Sequence, residues 1–218
     1  MEPPRHGQGS RVIKQQRRWQ ALADQVPRTG LATPVGKTTV GALLDGFRLQ
    51  LPKGGKVPKF VFSSSIAVFG PDAAVPMPKV VTDTTLPAPQ TSYGTQKLIC
   101  EHLIADYTRK GYIDGRSARL MTVTVRPGKP NGAASSFFSG IIREPLAGVE
   151  AVCPVSPEVS HPVSSPQRTV EGLIAVFEAS RQAYGGRTAL NLPALNVRVG
   201  EMLTFTARPL RSKACAQV

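Results

Sequence analysis

The spacing of apolar residues separates a weakly patterned start from a body in which short strands and helices alternate. Residues 1–39 show little periodicity and many breakers, among them Pro3, Pro4, Gly7, Gly9, Pro27, Gly30, Pro34 and Gly36. They predict a poorly structured flank, with a short helix through Gln15–Gln25 as its one regular candidate. Val40–Leu51 (VGALLDGFRLQL) places apolar side chains at 40, 43, 44 and 47 and predicts a helix. Lys59–Ser63 (KFVFS) is a short β-rich run that opens into the cluster Ser63, Ser64 and Ser65. The Pro-rich stretch Pro71–Pro89 reads as irregular surface chain. From Ser92, SYGTQKLICEHLIADYTRKG predicts a helix of about 18 residues with Gly111 as C-cap. Leu98, Ile99, Leu103, Ile104 and Tyr107 form its expected buried stripe. Ser117–Val125 (SARLMTVTV) alternates as one strand and stops at the breaker-rich RPGKPNG. Residues 135–147 and 167–184 read as helices, and Ala189–Leu192 as a short strand. This order predicts an α/β domain built on a parallel sheet.

Composition changes this picture little. With 218 residues, 41% of them hydrophobic and 19% charged, the chain can bury a core and is not expected to be disordered. No apolar run reaches the roughly 18 residues of a membrane-crossing helix, so no membrane association is expected. MEPPRHGQGSRVIKQQRRW lacks the apolar core of a secretory signal, which predicts a cytoplasmic protein. Cys100, Cys153 and Cys215 show no metal-ligand spacing and suit reduced thiols in that compartment. His6, His102 and His161 form no cluster in sequence, so no metal site is predicted.

The net charge of +13 is unevenly spread. Residues 1–59 hold 11 Lys/Arg against 3 Asp/Glu, residues 60–197 hold 12 against 10, and residues 198–218 hold 4 against 1. A nucleic-acid-binding domain would carry its basic residues on the folded body, so nucleic acid is not the expected partner. The basic ends read as solvated flanks or as polyanion-binding segments.

Chemistry concentrates at Tyr93 and Lys97. Four residues apart at the start of a helix, they share a face. A phenol is a poor base at neutral pH, with an ordinary pKa of about 10. An ammonium a few ångströms away favours the phenolate and makes a tyrosine a usable proton shuttle for an alcohol/ketone couple. A hydroxyl from the serine cluster at the end of the preceding strand can orient the substrate oxygen. The pair by itself is a weak signal, since an exposed Tyr beside a solvated Lys arises by chance.

Taken in order, FVFSSSIAVFG, TSYGTQK and VTVRPGKPN resemble the extended short-chain dehydrogenase/reductase family. RPGKPNGAASSFFSGIIREPLAG and NLPALNVRVGEML place the likeness in its sugar-acid branch, usually labelled NAD-dependent epimerase/dehydratase. The resemblance covers about residues 40–203 and implies a partial Rossmann-like parallel sheet with flanking helices. On that expectation residues 1–39 are a basic flank and 40–132 the C-terminal half of the Rossmann-like domain. Residues 133–203 are a partial substrate-binding region with a returning Rossmann segment, and 204–218 a divergent tail. It further implies NAD, with NADP left open, hydride transfer at a hydroxyl of a small sugar acid, and a homodimer.

Carried over residue by residue, the resemblance makes Tyr93 the catalytic base. Lys97 lowers the base's pKa and binds the nicotinamide ribose, and Ser65 holds the reacting oxygen. Ser63, Tyr93, Lys97, Pro127 and Gly128 are the implied cofactor-binding set. Beside Ser65 and Tyr93, Lys129 and Arg143 are candidate carboxylate partners for the substrate. A surface charge, or an ion pair with Glu144 or Glu150, explains either of these two equally well.

The chain also departs from the family pattern. None of its twenty glycines form GxxGxxG, and Gly7-x-Gly9 meets Val12 where the GxGxxG form needs its third glycine. GLATPVGKTT has five residues between Gly30 and Gly36, one too many for a phosphate loop. The expectation is a chain truncated at both ends that lacks the first strands and the half-site for ADP, with impaired catalysis. An epimerase or dehydratase acting on nucleotide sugars, or a non-catalytic interaction module, remain alternatives.

Overall fold

The computed structural model describes residues 35–50, 56–128, 133–186 and 189–207. The candidate helix Gln15–Gln25, Lys129 and Cys215 lie outside them. Helix α1 (Val35–Gln50) precedes strand β1 (Lys59–Ser65), which runs into a single 3-10 turn at Ile66–Val68. After the proline-rich loop come α2 (Ser92–Arg109) and β2 (Asp114–Leu120). β1 and β2 pair in parallel, Lys59 opposite Asp114 and Ser65 opposite Leu120. On the other side of β2 lies β5 (Ala189–Asn191), also parallel, giving the order β1-β2-β5. The right-handed crossover rule for such β-α-β units fixes the face on which α2 returns.

A second, smaller sheet holds β3 (Thr122–Val123), β4 (Ser160–Ser164) and β6 (Leu195–Arg198), in the order β3-β4-β6. β3 and β4 are parallel, β4 and β6 antiparallel. Helices α3 (Phe137–Leu146) and α5 (Val199–Ala207) cover it, while α4 (Pro166–Glu178) packs on β1 and β2. Among the described residues no helix is long and apolar enough to cross a membrane.

Three apolar clusters hold these layers. Leu44 of α1, Ile104 of α2 and Ile113 close one face of the first sheet with Phe60 and Phe62. Ala118, Val176, Tyr184 and Leu192 close the other with Val61 and Leu120. The alternation of Phe60 and Phe62 against Val61 is the period of a strand covered on both sides. Phe138, Ile141, Val163, Val199 and Met202 form the core of the second unit. There His161 stacks on Phe138 at 4.5 Å, its Nε2 is 2.7 Å from the Thr122 hydroxyl, and burial lowers its pKa below 6.5.

The α/β class and the parallel sheet with flanking helices are as expected, but several details differ. The predicted strand Ser117–Val125 is two strands: β2 ends at Leu120, and Thr122–Val123 pairs with β4 in the other sheet. β2 also starts three residues early, because polar Asp114, Gly115 and Arg116 are carried inside by partners distant in sequence. The helix expected over 167–184 stops at Glu178, where cations from the first sheet take its last carbonyls. Lys59 Nζ donates to Phe177 O at 2.9 Å, and Arg116 Nη1 donates to Val176 O at 2.5 Å and Ala179 O at 2.6 Å. On α2, Gly94, Cys100, Glu101 and Ile104 are the buried residues, while Leu98, Ile99, Leu103 and Tyr107 are half-buried.

Candidate active site

The serine cluster ends the edge strand β1, and the Tyr/Lys pair begins the helix that crosses above it. Thr91, in extended conformation, caps α2 by accepting the Gly94 N–H at 3.0 Å. That cap sets Tyr93 in the first turn, 54% exposed, and Lys97 one turn later. Lys97 Nζ donates to the Ser63 carbonyl at 2.7 Å. It also stands 4.8 Å from the centroid of Phe62 and 5.6 Å from that of Tyr93. Burial lowers the Lys97 pKa below the usual 10.5, partly opposed by Cys100 and Glu101. An amine shielded in this way is poised beside the phenol rather than spread into solvent.

Each serine has a different environment. Ser63 is exposed and gives its carbonyl to Lys97. Ser64 is buried, its Oγ donating to Glu101 Oε1 at 2.5 Å. Ser65 is half-buried and caps the 3-10 turn, its Oγ accepting the Ala67 N–H at 3.2 Å. That bond uses the hydroxyl as acceptor and leaves its proton for another partner.

A close approach at Gly94 joins the two motifs. A Cβ there would lie 2.0 Å from the Ala67 carbonyl oxygen and 3.1 Å from Pro89 Cβ. The first turn of α2 therefore rests directly on the turn after Ser65, which glycine alone permits. Gly94→Ala is expected to destabilise the fold by about 3 kcal/mol, the upper end for overpacking, because backbone must move. Gly46→Ala, in open space on α1, should instead stabilise by about 0.8 kcal/mol. Thermal unfolding of the two variants checks the contrast.

Beyond β3 the chain turns outward through Arg126, Pro127 and Gly128, the last two exposed. Gly128 has φ +99°, a conformation that excludes most side chains, and a Cβ on it would meet no atom within 4 Å. This turn is fastened to α3: Arg126 N–H donates to Ser139 Oγ at 3.0 Å and Thr124 Oγ1 to Phe138 O at 3.0 Å. Arg143 Nη1 donates to the Arg126 carbonyl at 2.6 Å, and its Nη2 pairs with Glu144. Of the two expected carboxylate partners, Arg143 thus stands on the Glu144 ion pair, and Lys129 is outside the described residues.

Sequence reasoning found Ser63, Ser65, Tyr93 and Lys97, which the fold brings to one place. It missed Gly94, Ser64, Glu101 and Arg119. Glu101 stands one turn beyond Lys97 on the same helix, and that spacing could have singled it out. Arg119 carried no local signal; the β1–β2 register alone sets it opposite Ser64.

Residues 42–158 match the NAD dependent epimerase/dehydratase family. A D-erythronate dehydrogenase from Cupriavidus necator is 50% identical over 154 residues, covering 71% of this chain and 46% of its own. Another from Haemophilus influenzae is 47% identical over 146 residues, covering 67% and 45%. Among solved structures, a nucleoside-diphosphate-sugar epimerase from Agrobacterium tumefaciens superposes with a TM-score of 0.71 at 46% identity, over 77% of this chain and 48% of that one. The chain spans just under half the length of these relatives. Motif order, sheet and sequence agree, and this chain belongs to the NAD dependent epimerase/dehydratase family.

Proposed function

We propose that this chain carries the proton-transfer part of an NAD-dependent dehydrogenase site, acting on a hydroxyl of a small sugar acid akin to D-erythronate. The observation that carries it is Lys97, half-buried, fixed to the Ser63 carbonyl and set against an exposed Tyr93 ring. Tyr93 takes the proton of the substrate hydroxyl at its Oη, with the Lys97 ammonium beside its ring. Ser65 donates its remaining proton to the same substrate oxygen and orients it. The nicotinamide, when bound, supplies the hydride acceptor. Exposed Pro127 and left-handed Gly128 would lie along its ring, and Lys97 and Tyr93 would hold its ribose. These residues fit that end of the cofactor. Arg143, ion-paired with Glu144, would act indirectly, by holding the Arg126–Gly128 turn.

Identity of about half with two sugar-acid dehydrogenases supports the substrate class. NAD is the proposed cofactor and NADP the comparison in the assay. A cytoplasmic site suits Cys100 and Cys153, which form no disulfide. A homodimer completes the proposal.

The test follows NAD reduction at 340 nm with D-erythronate and its stereoisomers. Saturable turnover with at least one acid supports the reading. Interconversion of a nucleotide sugar without net NAD reduction would replace it by an epimerase. No turnover with either class would overturn both.

A further inference from the structure

Directly behind the serine cluster lies a buried charge cluster that the proton-transfer chemistry does not use. Glu101 and Arg119 are 3% and 4% exposed. Arg119 grips Glu101 with both arms of its fork, Nε to Oε1 at 2.9 Å and Nη2 to Oε2 at 2.7 Å. The same Oε1 accepts the Ser64 hydroxyl at 2.5 Å. The guanidinium also stands 4.8 Å from the ring centroid of Phe69, just past the 3-10 turn.

Stability alone does not account for this pair. A buried ion pair is often no better than apolar side chains of equal volume. Here Arg119 Nη1 is buried without a hydrogen-bond partner among the described residues, a further cost. Arg116, the other arginine buried among the described residues, pairs with Asp114 but also gives Nη1 to helix-end carbonyls that need a donor. Arg119 instead serves one carboxylate, and that carboxylate serves one serine.

The geometry then becomes specific. Lys97 and Glu101 are one turn apart on α2, and Ser63 and Ser64 are neighbours on β1. Lys97 takes the Ser63 carbonyl while Glu101 takes the Ser64 hydroxyl. Two consecutive strand residues are thereby held by two consecutive helix turns. Side chains alternate along a strand, so fixing Ser64 inward fixes the direction in which Ser65 leaves it. Arg119, from the neighbouring strand, locks the carboxylate that does the holding.

We infer that Glu101 and Arg119 are positioning residues that set the Ser63–Ser65 strand end in register with Lys97 and Tyr93. Their catalytic effect rests on the dehydrogenase reading above; the positioning itself does not. Lys97 faces Cys100 and Glu101 on its own helix and the Ser63 carbonyl and Phe62 ring on β1, so its titration reports the register.

The test compares the full chain with Ser64→Ala, Glu101→Gln and Arg119→Lys. The Lys97 amine is titrated by NMR of its labelled ε-carbon, and NAD-linked turnover is measured in parallel. Val163→Ala, in the second unit's core, controls for lost stability. In Ser64→Ala, the Lys97 midpoint should fall by about half a unit or more as the carbonyl is released. In Glu101→Gln it should fall further, because the neighbouring negative charge is gone, and Arg119→Lys should be intermediate. In each, kcat should drop about tenfold with KM within about twofold, the sign of a transition-state effect. Val163→Ala should leave both readouts unchanged. A Lys97 midpoint unmoved in Ser64→Ala would overturn the inference, since Glu101→Gln shifts it through charge alone, and the pair would be a plain buried ion pair. Should the unsubstituted chain show no NAD-linked turnover, the dehydrogenase reading fails, while the Lys97 midpoint still decides the inference.

Discussion

Tyr93→Phe is expected to lower sugar-acid oxidation by at least about 100-fold while leaving cofactor affinity within about twofold, because it removes the proton acceptor and little else. The ring is exposed at the helix start and contributes to none of the three apolar clusters. Its loss of one oxygen therefore costs the fold little, and thermal unfolding should match the parent chain. The cap that places it, Thr91 to Gly94 N–H, is untouched. Steady-state kinetics with cofactor titration separates the two quantities. A variant with normal turnover would move the base elsewhere.

The second large effect is on stability. Arg116→Met is expected to destabilise the fold by about 3–5 kcal/mol, the range for removing one partner of a buried pair. Arg116 is fully buried, and its guanidinium serves Val176 O, Ala179 O and Asp114 at once. Without it the C-terminal carbonyls of α4 lose their best donor, and Asp114 keeps only Arg181, at 3.2 Å. Lys59 still reaches Phe177 O and keeps the helix end partly closed. Urea titration checks the loss. The same corner holds Tyr184, whose Oη donates to Ser117 O at 3.2 Å and whose pKa burial pushes up to about 12. Its contribution is complete below pH 10, the ordinary phenol value, and is lost as pH rises through about 12. Since Arg116 lies away from Ser63, Tyr93 and Lys97, the variant should bind cofactor normally while it remains folded.

What the sequence revealed and what it hid follow from the range of each interaction. The α2 helix was legible because its apolar spacing, its stop near Gly111 and the Tyr93–Lys97 spacing are local. β1 was legible from four residues, KFVF, that alternate between two covered faces. The break at Met121 was not, since SARLMTVTV keeps its period while the chain leaves one sheet for another. Which partner a strand meets is decided by residues as far off as Ala189 is from Ser117. β4, SHPVS, holds a proline and three polar residues and gives no strand pattern. It stands because Thr122 and Val123 pair on one side and Leu195–Arg198 on the other. Of α5, VGEMLTFTA, only VGEML entered the family likeness, without an element assigned, and TFTA was read as divergent tail. At the site, Tyr93 and Lys97 stood out by their spacing and Ser65 by the family likeness, while Arg119 and Gly94 emerged from register and close approach alone.

The central claim is that Tyr93, Lys97 and the serine strand end form a working nicotinamide-facing site in this chain. Titration of the purified, folded chain with NADH, followed by nicotinamide fluorescence, tests it most directly. Saturable binding with Kd on the order of 0.1 mM is expected, about a hundredfold weaker than micromolar because no glycine-rich pyrophosphate motif stands in the sequence. It should weaken at least about tenfold more in Lys97→Ala by loss of one charge-assisted hydrogen bond. That variant should unfold no earlier than the parent, because burial disfavours the charged lysine in the folded state. Absence of binding up to about millimolar NADH, or binding indifferent to Lys97→Ala, would contradict the account.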